Sequence, residues 1–121
     1  MMLRGVRGAI TVAVDREDEV YAATQELLTA MVKENDIRSE DIASVFFTAT
    51  PDITSAFPAK AARNMGWTNV PLICFQEMNV SGALPLVIRI LIHYSTERSQ
   101  DQIKHVYLRE AVVLRADLRS N

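Results

Sequence analysis

The chain has 121 residues, 49% of them hydrophobic and 23% charged, which suits a single domain over 1–121 and excludes disorder and low complexity. Its net charge is −2 and no Lys/Arg cluster is interleaved with aromatics, which argues against a nucleic-acid partner. One cysteine, Cys74, rules out an internal disulfide, and no apolar run is long enough for a signal peptide or a bilayer span. The expectation is a soluble cytoplasmic protein with no membrane partner.

Residues 1–14 read as a strand interrupted at Gly5 and Gly8, which mark a bulge or a close backbone approach. Arg4 and Arg7 lie three apart, so an extended strand points them to opposite faces. Asp15 is the candidate N-cap of a long helix with Glu17, Asp18 and Glu19 in its first turn. Val20, Ala23, Leu27, Leu28, Met31 and Val32 recur at helical spacing, and Asn35 is the expected end, tolerant of the left-handed conformation. Residues 39–42 start a short helical turn. Residues 44–50 are a strand apolar on both faces. Pro58 and Gly66 punctuate a short helix whose Lys60 and Arg63 share one face. Residues 70–75 form a strand without alternation, covered on both faces.

After a polar break at 76–82, the apolar pattern resumes over 84–94. Read with period two, Leu86, Ile88, Ile90 and Ile92 share one face, and Val87, Arg89, Leu91 and His93 the other. Ser99 to Gln102 fits a capping box, 105–115 returns to strand-like composition, and 116–121 fray. The fold class expected is α+β, a mixed sheet with one long helix on one face. A single long helix covers only one side of such a sheet. Its other face needs a partner, which implies a homo-oligomer packed sheet against sheet.

Two charges stand where burial should forbid them: Glu77 ends the first apolar run, and Arg89 lies inside LPLVIRILIHY. A buried guanidinium is costly unless an anion meets it. Either Arg89 pairs with Glu77 to hold a loop, or it is left open for an anionic ligand. Arg7 has a similar apolar setting and the alternative of a solvated edge, and Lys60 and Arg63 the alternative of a solvated helix face. His93, His105 and Cys74 make no credible metal set, so each histidine reads as structural or surface. No phosphate-cradling glycine loop and no nucleophile elbow are present, and an apolar strand makes Cys74 a small core residue rather than a low-pKa nucleophile. Arginines in apolar strands, one carboxylate and one tyrosine suit the binding of a small, highly anionic molecule.

With these residues laid out, the chain resembles the monofunctional chorismate mutases of the AroH type. The resemblance is carried by MMLRGVRGAITV at 1–12, TATPDITSAFPAKAAR at 48–63, Gly66-Trp67 with Val70-Pro71, CFQEMNVSG at 74–82 and QDQIKHVYLREAVVLRADL at 100–118. It implies conversion of chorismate, a dianion, to prephenate in aromatic amino-acid synthesis, by an intramolecular Claisen rearrangement that needs no cofactor and no metal. It also implies a homotrimer, a pseudo α/β barrel with active sites in the clefts between subunits. Carried over residue by residue, Arg89 would face the ether oxygen, and Arg7 and Tyr107 would hold the enolpyruvyl carboxylate. Glu77 would accept from the ring hydroxyl with Cys74 nearby. Phe57, Ile73 and Leu114 would wall the cleft, and Lys60, Arg63 and Arg115 would lie at its mouth.

Departures from the family pattern are small: Ala116 replaces an expected proline, the turn before Trp67 is one residue shorter, and Ile73 is bulkier and less polar than expected. A non-catalytic trimeric binder of an aromatic-pathway acid would use the same cleft. Only an enzyme needs a cation opposite the breaking bond, so Arg89 with Glu77 favours catalysis over that alternative. A structural trimer with internal ion pairs becomes improbable beside the resemblance.

Overall fold

In the computed structural model, which describes residues 1–115, the apolar stretches separate into strands and helices on either side of short polar turns. They run β1 (Met2–Thr11), α1 (Glu17–Asn35), β2 (Ile42–Ala49), α2 (Pro58–Asn64), β3 (Leu72–Gln76), β4 (Val87–Thr96) and β5 (Val106–Leu108). Short 3-10 turns lie at Ser39–Asp41, Gln100–Gln102 and Arg109–Val112. The strands form one sheet in the order β3-β2-β4-β1-β5. β4 is antiparallel to both β2 and β1, while β3 is parallel to β2 and β5 to β1. The expected α+β class with a mixed sheet holds, and β4 alone runs against the other four strands.

Alternation along β4 sets the two faces. Ile88, Ile90, Ile92 and Tyr94 are buried, whereas Arg89 is exposed and Leu91 and His93 only half-buried. Register carries this division across the sheet: Ile90 lies between Gly8 of β1 and Phe47 of β2, and Arg89 between Ala9 and Thr48. Helix α1 packs on the first face through Val20, Ala23, Leu27, Leu28 and Met31, all fully buried. Each large side chain among them contributes about 1.5–3 kcal/mol by leaving water. Ala59 and Ala62 of α2 join the same core. On the second face, a small cluster of Ala9, Val87, Tyr107 and Ala111 packs with Leu84 and Leu114 at one corner. The rest of that face stays open, with Ile73 and Phe75 exposed.

Several expectations need correction. Strand β3 is an edge strand with one open face, so its lack of alternation does not mean cover on both sides. Arg16, not Asp15, occupies the N-cap of α1, because the Asp15 carboxylate is engaged by the backbone amides of Thr54 and Ser55. The left-handed residue after α1 is Asp36. Asn35 is buried instead: its Nδ2 donates to Met31 O and Lys104 O at 3.0 and 2.9 Å, and its Oδ1 accepts from Lys104 N at 2.8 Å. Residues 105–115 are strand only at β5. Arg109 then turns left-handed at φ 54°, and a 3-10 turn follows. The capping box at Ser99 and Gln102 is present, on the 3-10 turn Gln100–Gln102. The fraying of 116–121 and the departure at Ala116 fall outside the described residues.

At Gly8 the side chains of α1 pack directly on the backbone of β1. A Cβ there would stand 2.5 Å from Met31 Sδ and 3.0 Å from Leu27 Cδ1, both on fully buried side chains. Gly8→Ala should therefore cost about 1–3 kcal/mol by overpacking, seen as a lower denaturant midpoint at unchanged slope.

Candidate active site

On the open face, a hollow of about 370 Å3 collects three of the six charged candidates, Arg7, Glu77 and Arg89. Arg7 of β1, Thr48 of β2, Arg89 and Leu91 of β4, Tyr107 of β5, Glu77 and Leu114 all line it. The strand period explains the company: Arg7 is opposite Leu91, Arg89 is opposite both Ala9 and Thr48, and Tyr107 is opposite Ala9. Glu77 follows β3 directly, and its amide donates to Ala49 O at 2.9 Å, which fixes the backbone from which its side chain leaves. Its Oε2 accepts from Thr48 Oγ1 at 2.5 Å and lies 3.3 Å from Arg89 Nε.

That last contact joins the two readings of Arg89. The ion pair exists, with Nε its closest nitrogen at 3.3 Å, and among the described residues the guanidinium makes no other ion pair. The side chain is 47% exposed, so the guanidinium is oriented by Glu77 without being used up by it. The expected burial of Arg89 is therefore corrected: alternation turns it away from the core. Among the described residues, Arg7 has no carboxylate partner, while Arg115 stacks its guanidinium 6.0 Å from the centre of the Tyr107 ring.

Two non-glycine residues in left-handed conformations flank the site strands, each at a cost of about 1–3 kcal/mol. Leu86, at φ 54°, precedes β4, and its amide donates to Asp52 Oδ2 at 3.0 Å. The next amide, Val87, donates to Thr50 Oγ1 at 3.0 Å, and that hydroxyl donates to Asp52 in turn. Arg109, also at φ 54°, follows β5 and sends Nη1 to Thr11 O at 3.1 Å and Nη2 to Glu26 Oε1 at 3.0 Å. Both joints are thus tied just beyond Arg89 and Tyr107.

The remaining candidates gather elsewhere. A second hollow of about 580 Å3 lies at the β2–β3 edge under the segment 50–58, with Phe57, Lys60 and Cys74 in its lining. Cys74 pairs with buried Phe47, and its thiol is pushed up by burial, against weaker pulls from the Ala59 amide and the Arg63 guanidinium. It stays a neutral thiol, as its apolar strand suggests. Lys60 Nζ stands 6.0 Å from the Tyr21 ring centre, and Arg63 is exposed on the same helix. Ile73 faces outward and lines neither hollow. Within one chain, then, Arg7, Glu77, Arg89, Tyr107 and Leu114 meet, Arg115 lies against Tyr107, and Phe57, Lys60, Arg63 and Cys74 stand apart.

Some contributors escape sequence reasoning. Thr48 reads as an ordinary β-former until the β2–β4 register sets it beside Arg89. Asp15 and Asp52 look like a cap and a turn residue. Among the described residues, no group of three or more His, Cys, Asp or Glu is placed to hold a metal, and no helix is long and apolar enough to cross a membrane.

Fold and site together define a small α+β protein with a cation-lined cleft on an uncovered sheet face. Comparison with known proteins makes the class specific. The family model described as chorismate mutase type I matches residues 3–118, and the chain belongs to that family. It is 53% identical over 120 residues to chorismate mutase AroH of Thermus thermophilus, covering 98% of each chain. It is 48% identical over 119 residues to chorismate mutase AroH of Bacillus subtilis (strain 168), covering 98% of this chain and 94% of that one. The solved chorismate mutase from Clostridium thermocellum superposes with a TM-score of 0.89 at 47% identity, over 90% of this chain and 97% of that one.

Asp15 offers a check on how the wall of the second hollow is held. Its Oδ2 accepts from Thr54 N at 3.0 Å and Thr54 Oγ1 at 2.9 Å, and Oδ1 from Ser55 N at 3.1 Å. The Ser55 hydroxyl, buried and without a well-aligned acceptor, faces the same carboxylate. That hydroxyl first, and then the Thr54 amide, hold the carboxyl at about 2 against an ordinary 3.8. Folding lowers this pKa, so the stabilisation is complete above 3.8 and fades as pH falls toward 2. Melting scans should show Asp15→Ala below the native Tm above pH 3.8, with the gap closing toward pH 2.

Proposed function

We propose that this chain is an isomerase, a chorismate mutase that converts chorismate to prephenate in aromatic amino-acid synthesis. The supporting comparisons are near full-length matches at about half identity to chorismate mutases, within a family it belongs to. The supporting geometry is one observation: Arg89, its Nε 3.3 Å from Glu77 Oε2 and its side chain 47% exposed, lines an open hollow together with Glu77.

The rearrangement breaks one C–O bond and forms one C–C bond inside a single molecule. No proton, hydride or leaving group departs, so the protein need only hold the reactive chair-like conformer and stabilise charge on the ether oxygen. Arg89 carries the second task, since its guanidinium stays charged at any working pH. Arg7 and Tyr107 hold the enolpyruvyl carboxylate. Glu77, fixed by Thr48 and Arg89, accepts from the ring hydroxyl. Leu114 supplies apolar wall beside them, with Arg115 at the rim.

Phe57, Ile73, Cys74, Lys60 and Arg63 complete the cleft from a neighbouring copy in a homotrimer. Two features support this part. The open face exposes Ile73 and Phe75, and the loop after β3 exposes Met78 and Val80, apolar surface that an isolated chain leaves in water. Phe57, Lys60 and Cys74 also line a different hollow from Arg7, Glu77, Arg89, Tyr107 and Leu114, so a complete site requires a second chain to bring the sets together. The trimer should persist in sedimentation at micromolar protein, and an active monomer there would remove both arguments.

Loss of chorismate absorbance on addition of protein alone tests the activity. Arg89→Ala should lower kcat by about 10²–10³ or more, the worth of a preorganised donor at developing charge, and leave Tm close to native. Lost stability with full activity per folded molecule would make the Arg89–Glu77 contact a structural ion pair only.

A further inference from the structure

Beyond the ladder of β5, the outer edge of β1 is completed by side chains. Parallel pairing starts at Gly8 with Val106, leaving the backbone groups of Gly5 and Arg7 without a strand beside them. Gln100 supplies one pair of bonds: its Oε1 accepts from Gly5 N at 3.2 Å, and its Nε2 donates to Gly5 O at 2.7 Å. His105 supplies the other, with Nδ1 accepting from Arg7 N at 2.9 Å. An imidazole that accepts at Nδ1 must be neutral and carry its proton on Nε2.

The place of His105 is well determined. It follows Lys104, whose backbone is gripped in both directions by buried Asn35, and it precedes Val106, which is in the ladder. Four charged groups face it: Arg7 on β1, Glu34 on α1, its own neighbour Lys104, and Arg115. Glu34 is 4.0 Å from Lys104 Nζ.

We propose that His105 is a positioning residue for Arg7, its neutral imidazole holding the β1 backbone so that the Arg7 guanidinium meets the substrate carboxylate in the open-face hollow. This rests on the reading of Arg7 given above. Protonation places an N–H at Nδ1 against the Arg7 N–H, donor against donor, and adds a cation beside the guanidinium. The bond is then lost and Arg7 is released. Burial, followed by the nearby Arg7 charge, holds the His105 pKa below its ordinary 6.5, so the bond is intact at neutral pH and fails only on the acid side. Because the carboxylate is carried through the rearrangement unchanged, the loss falls on KM more than on kcat.

The test combines NMR with kinetics. In the native protein, the His105 ring protons and the Arg7 amide should titrate with one common midpoint below pH 6.5, and chorismate KM should rise below that same midpoint. His105→Asn retains an acceptor near Nδ1 and cannot titrate. It should keep the native KM at neutral pH and abolish the acid rise. His105→Leu leaves the Arg7 amide unpaired and should raise KM about tenfold at all pH, with kcat little changed. Glu34→Gln should keep the native acid rise, since the effect belongs to the imidazole. An acid rise that survives in His105→Asn, or a native KM in His105→Leu, overturns the proposal. If the native protein fails to turn over chorismate at all, the reading of Arg7 fails; an Arg7 amide indifferent to the His105 titration sinks the positioning role on its own.

Discussion

The alternation of side chains along β4 is the constraint on which the rest depends. A central strand with α1 and α2 on one side leaves its odd-numbered residues on the other, and Arg89 is among them. Had the register slipped by one residue, the guanidinium would enter a face packed with Leu27, Leu28 and Met31, where an unpaired charge costs far more than a domain can spare. Burial of four apolar side chains on one side of β4 and exposure of one arginine on the other are therefore the same fact. The site inherits its precision from the packing of the core.

This explains what was legible in the sequence. The period-two reading of 84–94 identifies both faces correctly, and the helical spacing of Val20 to Met31 finds α1, because these patterns are dictated by burial. The open face also follows from counting helices against sheet faces. What fails is local. Asp15 and Asn35 have the chemistry of a cap and a left-handed end, but Thr54, Ser55 and Lys104, distant in sequence, outbid the local backbone for their side chains. Continuous strand composition in 105–115 conceals the turn at Arg109, whose unusual φ is tied down by Thr11 and Glu26. Arg89 reads as buried because its neighbours in sequence are apolar, although alternation turns it onto the open face.

The site itself divides along the same line. Motif resemblance names its residues without saying how one chain distributes them. Geometry then places five in one hollow, Arg115 against one of them and five apart, with Thr48, Asp52 and His105 acting behind them as ties on backbone or carboxylate. All three fall inside stretches that carry the resemblance, which says nothing of what their side chains touch. Each is an ordinary polar residue whose significance comes from the distant backbone or side chain that the fold sets beside it.

The first strand closes onto the last. β1 pairs along its length with β4, from Met2 with Thr96 to Thr11 with Val87, and on its other edge with β5 through Val106–Leu108. Its partners are thus made some eighty to a hundred residues later in synthesis, and α1, which packs over β1, finds little sheet to settle on before then. A nascent chain emerging from the ribosome holds an amphipathic helix and an unpaired apolar strand until residues 87–108 have been released. Such closure makes folding slow relative to helical domains of the same size and leaves the growing chain dependent on whatever shields exposed strand edges in the cell.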